Sequence, residues 1–243
     1  MNDGRIKEAV VLAAGNGRRL ASPSGLPKPL LPVAGRSLIR RVLDRLFEAH
    51  IERVHVVIGY RAEEIQQQGS LNGFRDRVHW VQNEDYHLAN GLSLLAVQHR
   101  IESPFLLLMS DHLFESSTLQ DFVSINAPDQ GGVLAVDSKI ESIFDLPDAT
   151  KVVSDSQQVR QMGKDLEAFD AIDTGIFALT PSVFEAMHES ASRGDQSLTG
   201  GISVLARTEG VRTWDIGDRR WIDIYTPDAL QEAERLAALG LFK

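Results

Sequence analysis

The 243 residues carry 25 Lys and Arg against 34 Asp and Glu, a formal net charge of -9, with 43% hydrophobic and 24% charged residues and no cysteine. This balance supports a sizeable core, argues against disorder, and speaks against a general electrostatic grip on nucleic acid or anionic lipid. Without cysteine there are no disulfides, thiolate metal ligands or cysteine nucleophiles, so chemistry falls to carboxylates, Lys, Arg, His and hydroxyls in an expected reducing, cytoplasmic setting.

The first element is EAVVLAAG at 8–15, a short β-branched run closed by Gly15, which reads as a strand. Its apolar part is too short for a signal-peptide core, and no later stretch approaches the roughly 20 apolar residues that span a bilayer, so no membrane insertion is expected. A helix follows over 37–50, with Leu38, Val42 and Leu46 on one stripe and Ile39, Leu43 and Phe47 beside it. RVHVVIG at 53–59 is a strand and RAEEIQQQ at 61–68 a helix. The alternation continues with strand 78–83, helix 90–100, strand 104–110, helix 117–125 and strand 131–136. Strands apolar on both faces, separated by helical segments, imply a mostly parallel α/β sheet covered on both sides.

Beyond residue 137 the pattern changes. Two short strands around SDSQQ are expected within 150–163, and a longer one at 170–179. TPSVFEAMHES reads as a helix with Thr180 as cap and Pro181 at its first position; TPDALQEAERLAALG repeats the device with Thr226 and Pro227 and closes at Gly240. No linker or repeat interrupts the chain. The expectation is one domain over 1–243, with a first half to residue 137 and a β-rich, lid-like half from 138.

In doubly wound sheets ligands bind beyond the carboxyl ends of the strands, so residues just after strands carry the most information. LAAGNGRRL comes first: Gly15 and Gly17 allow a tight turn whose N–H groups suit phosphate oxygens, and Arg19 adds a charged fork. Neither the dinucleotide fingerprint nor the Walker loop is matched, and taken alone the turn is also compatible with a plain bend. Lys28, held between Pro27 and Pro29, has less backbone freedom to lose on gripping an anion.

Asp111, in PFLLLMSDHLF, ends a buried strand, where a carboxylate is costly unless paired or cation-bound; the alternative is a cap for the helix near Glu115. His112 beside it reads first as a packing or hydrogen-bonding residue and second as a ligand. Asp223, in RRWIDIYTPDAL, is a second carboxylate at an element end, and two such groups are the usual protein share of a Mg²⁺ site, although Asp before a helix also serves as a cap. Lys151, Lys164, Asp173 and Thr174 form a fourth group: the lysines suit a second phosphate and Asp173 substrate hydroxyls, unless the lysines are simply solvated.

LAAGNGRRL followed by LPKPLLPVAGRSLI resembles the signature of sugar-phosphate nucleotidyltransferases, which join an NTP to a phosphorylated small molecule and release pyrophosphate. Within that superfamily the chain is more similar to CTP:inositol-1-phosphate cytidylyltransferases, through NGLSL, MSDH, ATKV, GKDL, DTG and WIDIYT, spread over nearly the whole length in the family's order. The resemblance implies a Rossmann-like, GT-A-type mixed sheet with helices on both faces and an acceptor-binding second half. It implies Arg19 and Lys28 as catalytic groups on the triphosphate, with Ala13, Ala14, Gly15 and Gly17 beside the nucleotide and Asn83, Asn90 and Ser93 near the base. Asp111 and Asp223 would hold Mg²⁺, and Lys151, Lys164, Asp173 and Thr174 the acceptor. CTP and a phosphorylated polyol are then the expected partners, with no nucleic acid; a homodimer is an expectation on which the sequence is silent. Relatives that activate sugar 1-phosphates, phosphocholine or phosphonates share the front signature, so the acceptor stays open. A GT-A glycosyltransferase is the rival class, but it normally carries a D-x-D pair where MSDH has one Asp.

Overall fold

The computed structural model describes residues 5–17, 20, 25–69, 74, 76–124 and 127–242. Strand β1 (Glu8–Ala13) leads through the turn at 14–17 to a 3-10 turn at Lys28–Leu30, a small hairpin of β2 (Pro32–Val33) and β3 (Arg36–Ser37), and helix α1 (Leu38–Glu48). Then follow β4 (Arg53–Ile58), α2 (Ala62–Gly69), β5 (Val78–Gln82), α3 (Gly91–Leu95), β6 (Phe105–Met109), β7 (His112–Phe114), α4 (Ser116–Val123) and β8 (Gly132–Asp137). The remainder comprises β9 (Lys151–Asp155), β10 (Gln158–Gly163), β11 (Ala171–Leu179), α5 (Val183–Ser192), α6 (Leu198–Thr208), β12 (Val211–Asp215), β13 (Trp221–Asp223) and α7 (Pro227–Ala238).

Nine strands form one sheet in the order β5-β4-β1-β6-β11-β8-β12-β10-β9. The four at the β5 edge run parallel, as apolar runs joined by helical crossovers require, while β11 lies antiparallel between β6 and β8. The sheet is therefore mixed and continuous across residue 137. Alternation along β1 shows why both faces are covered. Ala9, Val11 and Ala13 pack with Ile39, Leu43 and Leu46 of α1, Ile65 of α2 and Phe122 of α4. Val10 and Leu12 pack with Leu94 of α3, Phe184 of α5 and Leu205 of α6. A third core joins Ala229, Ala233 and Leu236 of α7 to Leu31, Val33, Leu113 and Ile222, so the last helix braces the segments on either side of the site.

Three local expectations change. The helix over 90–100 stops at Leu95 and resumes as a 3-10 turn at Gln98–Arg100. Thr180 does not cap α5, which starts at Val183; its hydroxyl donates to the Gly131 carbonyl at 3.1 Å instead. The stretch read as β-rich holds one helix beyond the two expected in it, α6, which escaped notice because Gly200 and Gly201 weaken a helical reading. Gly201 is there for packing: a Cβ on it would fall 1.9 Å from Met187 Sδ of α5. At α7 the expected cap is present, with Thr226 Oγ1 accepting from the Ala229 N–H. Among the described residues no helix is long and apolar enough to cross a membrane.

Candidate active site

The turn after β1 packs directly on Lys28. Gly17 sits at φ +57°, and a Cβ there would lie 3.0 Å from the Cβ of Lys28, so a side chain would be both strained and obstructed. Lys28 opens its 3-10 turn behind Pro27, and its side chain is only 10% exposed. Its ammonium donates to Asp111 Oδ2 at 2.5 Å, lies 3.8 Å from Asp223 Oδ1 and stands 5.2 Å from the Tyr225 ring centre.

The two carboxylates are brought together by a two-stranded ribbon. Asp111 occupies the bend between β6 and β7, and β7 pairs antiparallel with β13 so that His112 faces Asp223 in register. The Ile224 N–H donates to the Asp111 carbonyl at 3.0 Å, locking the bend to the far strand. Asp111 caps no helix.

His112 is held from several sides. Its Nδ1 lies 2.8 Å from the Thr174 carbonyl, which can only accept, so Nδ1 carries a hydrogen. Nε2 then faces the carboxylates, 3.4 Å from Asp223 Oδ2 and 3.8 Å from Asp111 Oδ1. The Trp221 ring lies 5.6 Å away, and Gly175, at φ +77°, leaves the space that a Cβ 2.2 Å from Nδ1 would fill. The bulge in β11, where its register against β8 shifts between Asp173 and Phe177, puts these groups in place.

Burial by itself would drive the imidazole toward neutrality, but Asp223 and Asp111 outweigh it and raise its pKa to about 9. Burial pushes the Asp111 carboxyl upward; Lys28 and His112 overcome this and hold it below its ordinary value. Asp173 has weaker help. Burial raises it to about 6 against the hydrogen bond that its Oδ1 accepts from the Gly175 N–H at 2.7 Å.

Asp111, His112 and Asp223 each present a ligand-type atom, all within 4.8 Å of one another. Asp223 Oδ1 is buried with no hydrogen-bond partner. A carboxylate oxygen left this way, beside a second carboxylate and an imidazole, fits a divalent cation, with Lys28 supplying positive charge at its edge.

A cavity of about 980 Å³ opens over this cluster. Ala13, Ala14, Gly15, Gly17, Asn90, Ser93, Lys164 and Asp173 all line it. Arg19 lies outside the described residues. Three candidates stand elsewhere. Asn83 is buried, its amide donating to Ser93 Oγ at 3.0 Å and its Oδ1 accepting from the Asp85 N–H at 2.9 Å, so it holds Ser93, which lines the cavity. Thr174 is fully buried, with its hydroxyl on the Ala135 carbonyl at 2.8 Å; it acts through the carbonyl that orients His112. Lys151 donates to the Lys164 carbonyl and lies 5.8 Å from the Phe169 ring, bracing the strand beside Lys164 instead of lining the cavity. Lys164 itself reaches Asp148 at 3.0 Å and the Tyr225 ring at 5.6 Å.

The sequence reading passed over Asp137, Lys139 and Tyr225. Asp137 ends β8 and takes Lys139 Nζ at 2.8 Å and Trp221 Nε1 at 2.9 Å, forming a wall of the cavity. The signal for it was the same one that singled out Asp111, a carboxylate where an apolar strand ends.

A family model described as a MobA-like NTP transferase domain matches residues 9–198. A bifunctional IPC transferase and DIPP synthase of Aquifex aeolicus is 31% identical over 235 residues, which is 95% of this chain and 51% of that protein. The protein of the same name in Archaeoglobus fulgidus is 32% identical over 96% of this chain and 44% of its own length. The chain thus spans about half the length of the curated relatives it matches. The solved inositol-1-phosphate CTP transferase from T. maritima aligns with a TM-score of 0.81 at 26% identity, covering 96% of each chain. UTP-bound UGPase from Acinetobacter baumannii aligns with a TM-score of 0.75 at 18% identity over 97% of this chain and 94% of its own, a likeness of fold.

Proposed function

The chain belongs to the MobA-like NTP transferase family, and from that premise we propose that it transfers CMP from CTP to inositol 1-phosphate, giving CDP-inositol and pyrophosphate. The reading draws on the likeness to the T. maritima enzyme and to the Aquifex aeolicus protein, and on the sequence blocks that meet in one cavity. One observation carries it: Lys28, packed on the Gly17 turn, stands between Asp111 and Asp223 at the strand ends.

The reaction brings two polyanions together, and two unit charges about 4 Å apart cost roughly 4 kcal/mol at an effective dielectric near 20. Positive charge must therefore be in place before the reactants meet. Members of this family generally use a divalent metal; Mg²⁺ is the ion proposed, with Asp111 and Asp223 to hold it. Bound there, it would supply charge neutralisation at the α-phosphate.

The remaining work falls to the chain. The turn at 13–17 offers backbone N–H groups to the triphosphate. Lys28 exchanges its carboxylate partner for the departing pyrophosphate, a fixed donor aimed at developing charge. The acceptor phosphate is already largely a dianion near neutral pH, its second pKa being near 6, so no general base is required. Its oxygen forms a bond to the α-phosphorus as the bond to the bridging oxygen of pyrophosphate breaks. Lys164 faces the acceptor phosphate, and Asp173, once ionised, accepts hydrogen bonds from polyol hydroxyls. At the base end, Asn90 Oδ1 is taken by the Leu198 N–H at 3.0 Å, which leaves the amide N–H₂ as the end that donates to a pyrimidine acceptor.

The test is pyrophosphate release across four NTPs with inositol 1-phosphate, glucose 1-phosphate, phosphocholine and 2-aminoethylphosphonate. CTP with inositol 1-phosphate is expected to give the highest kcat/KM. Clear preference for UTP or GTP, or for another acceptor, overturns the corresponding half of the proposal.

A further inference from the structure

Two carboxylates account for an ordinary oxygen-ligated Mg²⁺ site, and they leave the arrangement of His112 unexplained. Its ring orientation is set by a chain of contacts running away from the cavity. The Thr174 hydroxyl is anchored on the Ala135 carbonyl, the Thr174 carbonyl takes the Nδ1–H, and Gly175 gives up its side-chain volume to the ring. Trp221 and Phe114 lie beside it, with ring centres at 5.6 and 6.2 Å. The strand register then delivers Nε2 opposite Asp223, with the Asp111 oxygen also in range.

An imidazole whose one nitrogen is tied to a backbone carbonyl while the other points between carboxylates has the orientation of a metal-bound histidine, because that outer hydrogen bond fixes both the tautomer and the ring plane. A histidine needed only for positive charge would not require a bulged strand, a left-handed glycine and an aromatic wall to aim a single nitrogen.

We infer that His112 Nε2 is a third protein ligand to the divalent ion held by Asp111 and Asp223, and that this nitrogen shifts the site from Mg²⁺ toward first-row transition ions such as Mn²⁺ and Co²⁺. The inference rests on the nucleotidyl-transfer reading and deepens its metal site. Mg²⁺ favours shells of oxygen and gives up its waters reluctantly, whereas imidazole suits the transition ions better.

The experiment uses the whole chain with histidine labelled in ¹⁵N and Mn²⁺ alone as the probe. Pulsed EPR of bound Mn²⁺ is expected to show a ¹⁵N coupling absent from His112→Asn, and competition binding to show that His112→Asn loses Mn²⁺ affinity about ten-fold or more while Mg²⁺ affinity changes less. Failure of Mn²⁺ to bind, bound Mn²⁺ without nitrogen coupling, or an unchanged Mn²⁺ to Mg²⁺ ratio in the variant overturns the inference. Circular dichroism establishes that the variant folds; if it does not, the labelled wild-type spectrum decides alone, since among the described residues His112 is the histidine in such a cluster. Pyrophosphate release measured in parallel separates the two readings. Release without nitrogen coupling sinks the ligand and keeps the transfer, and coupling without release from any NTP does the reverse.

Discussion

Two histidines in this protein, one buried and one half-buried, are pushed in opposite directions. His55 on β4 stands in register with His79 on β5, rings 5.4 Å apart, and is 4% exposed with neither ring nitrogen bonded. Burial, then His79, lowers its pKa to about 4. His112 also pays for burial, yet a backbone carbonyl and two carboxylates raise it to about 9. Residue type does not separate them. What the neighbouring strand supplies does: a second histidine at one place, Asp223 at the other.

The largest expected effect comes from dismantling the partnered cluster. Lys28→Ala or Asp111→Asn should lower kcat by about 10²–10³-fold, measured as pyrophosphate release, as for loss of a single preorganised electrostatic group. Near-normal turnover in both variants would break the contrast, because the cluster would then be a structural ion pair.

A change at the unpartnered histidine should appear in stability alone. Its folded pKa of about 4 lies below the ordinary value of 6.5, so as pH falls through 6.5 the unfolded chain takes up a proton that the folded one refuses. Stability is drained between about pH 6.5 and 4, by roughly 3 kcal/mol at the acid end, and the site contributes nothing to pH dependence above that window. Urea unfolding of wild type and His55→Leu at pH 7 and pH 4.5 checks this: the advantage of the leucine variant should widen on acidification, and a constant gap would show that folded His55 takes up its proton as readily as the unfolded chain does.

Smaller still is the effect expected at Lys164, the proposed acceptor-side cation, which is exposed and loosely tied. Lys164 is 49% exposed with Asp148 at 3.0 Å, so Lys164→Ala should raise KM for the acceptor about ten-fold with kcat and KM for CTP little changed. Lys151→Ala, acting only through the backbone beside Lys164, should shift it about two- to three-fold. Equal effects of the two would place both ammonium groups on the acceptor.

Much of the fold was legible because strands and helices announce themselves locally. The apolar runs at 8–15, 53–59 and 104–110 became β1, β4 and β6, and Thr226 with Pro227 marked the start of α7. For the candidate site one rule was informative, that a carboxylate where a strand ends carries a signal: Asp111 and Asp223 do come together, with Lys28 of the 3-10 turn between them. It failed for polar residues whose direction is set by packing. Asn83 and Thr174 have the chemistry of ligand-binding groups, but their hydrogen bonds are spent inside the protein, on Ser93 and Ala135.

The strand-helix alternation of the first half, the apolar faces and the gathering of glycine and lysine after the first strand follow from the sequence alone, since each is decided by residues close together in the chain. Which charges share a cavity does not. The pairing of β7 with β13 and the bulge in β11 join segments far apart in the chain, and they determine that His112 looks at two carboxylates while His55 looks at none. Burial makes that difference large, because in a poorly solvated interior the energy of a charge depends on the few groups that touch it.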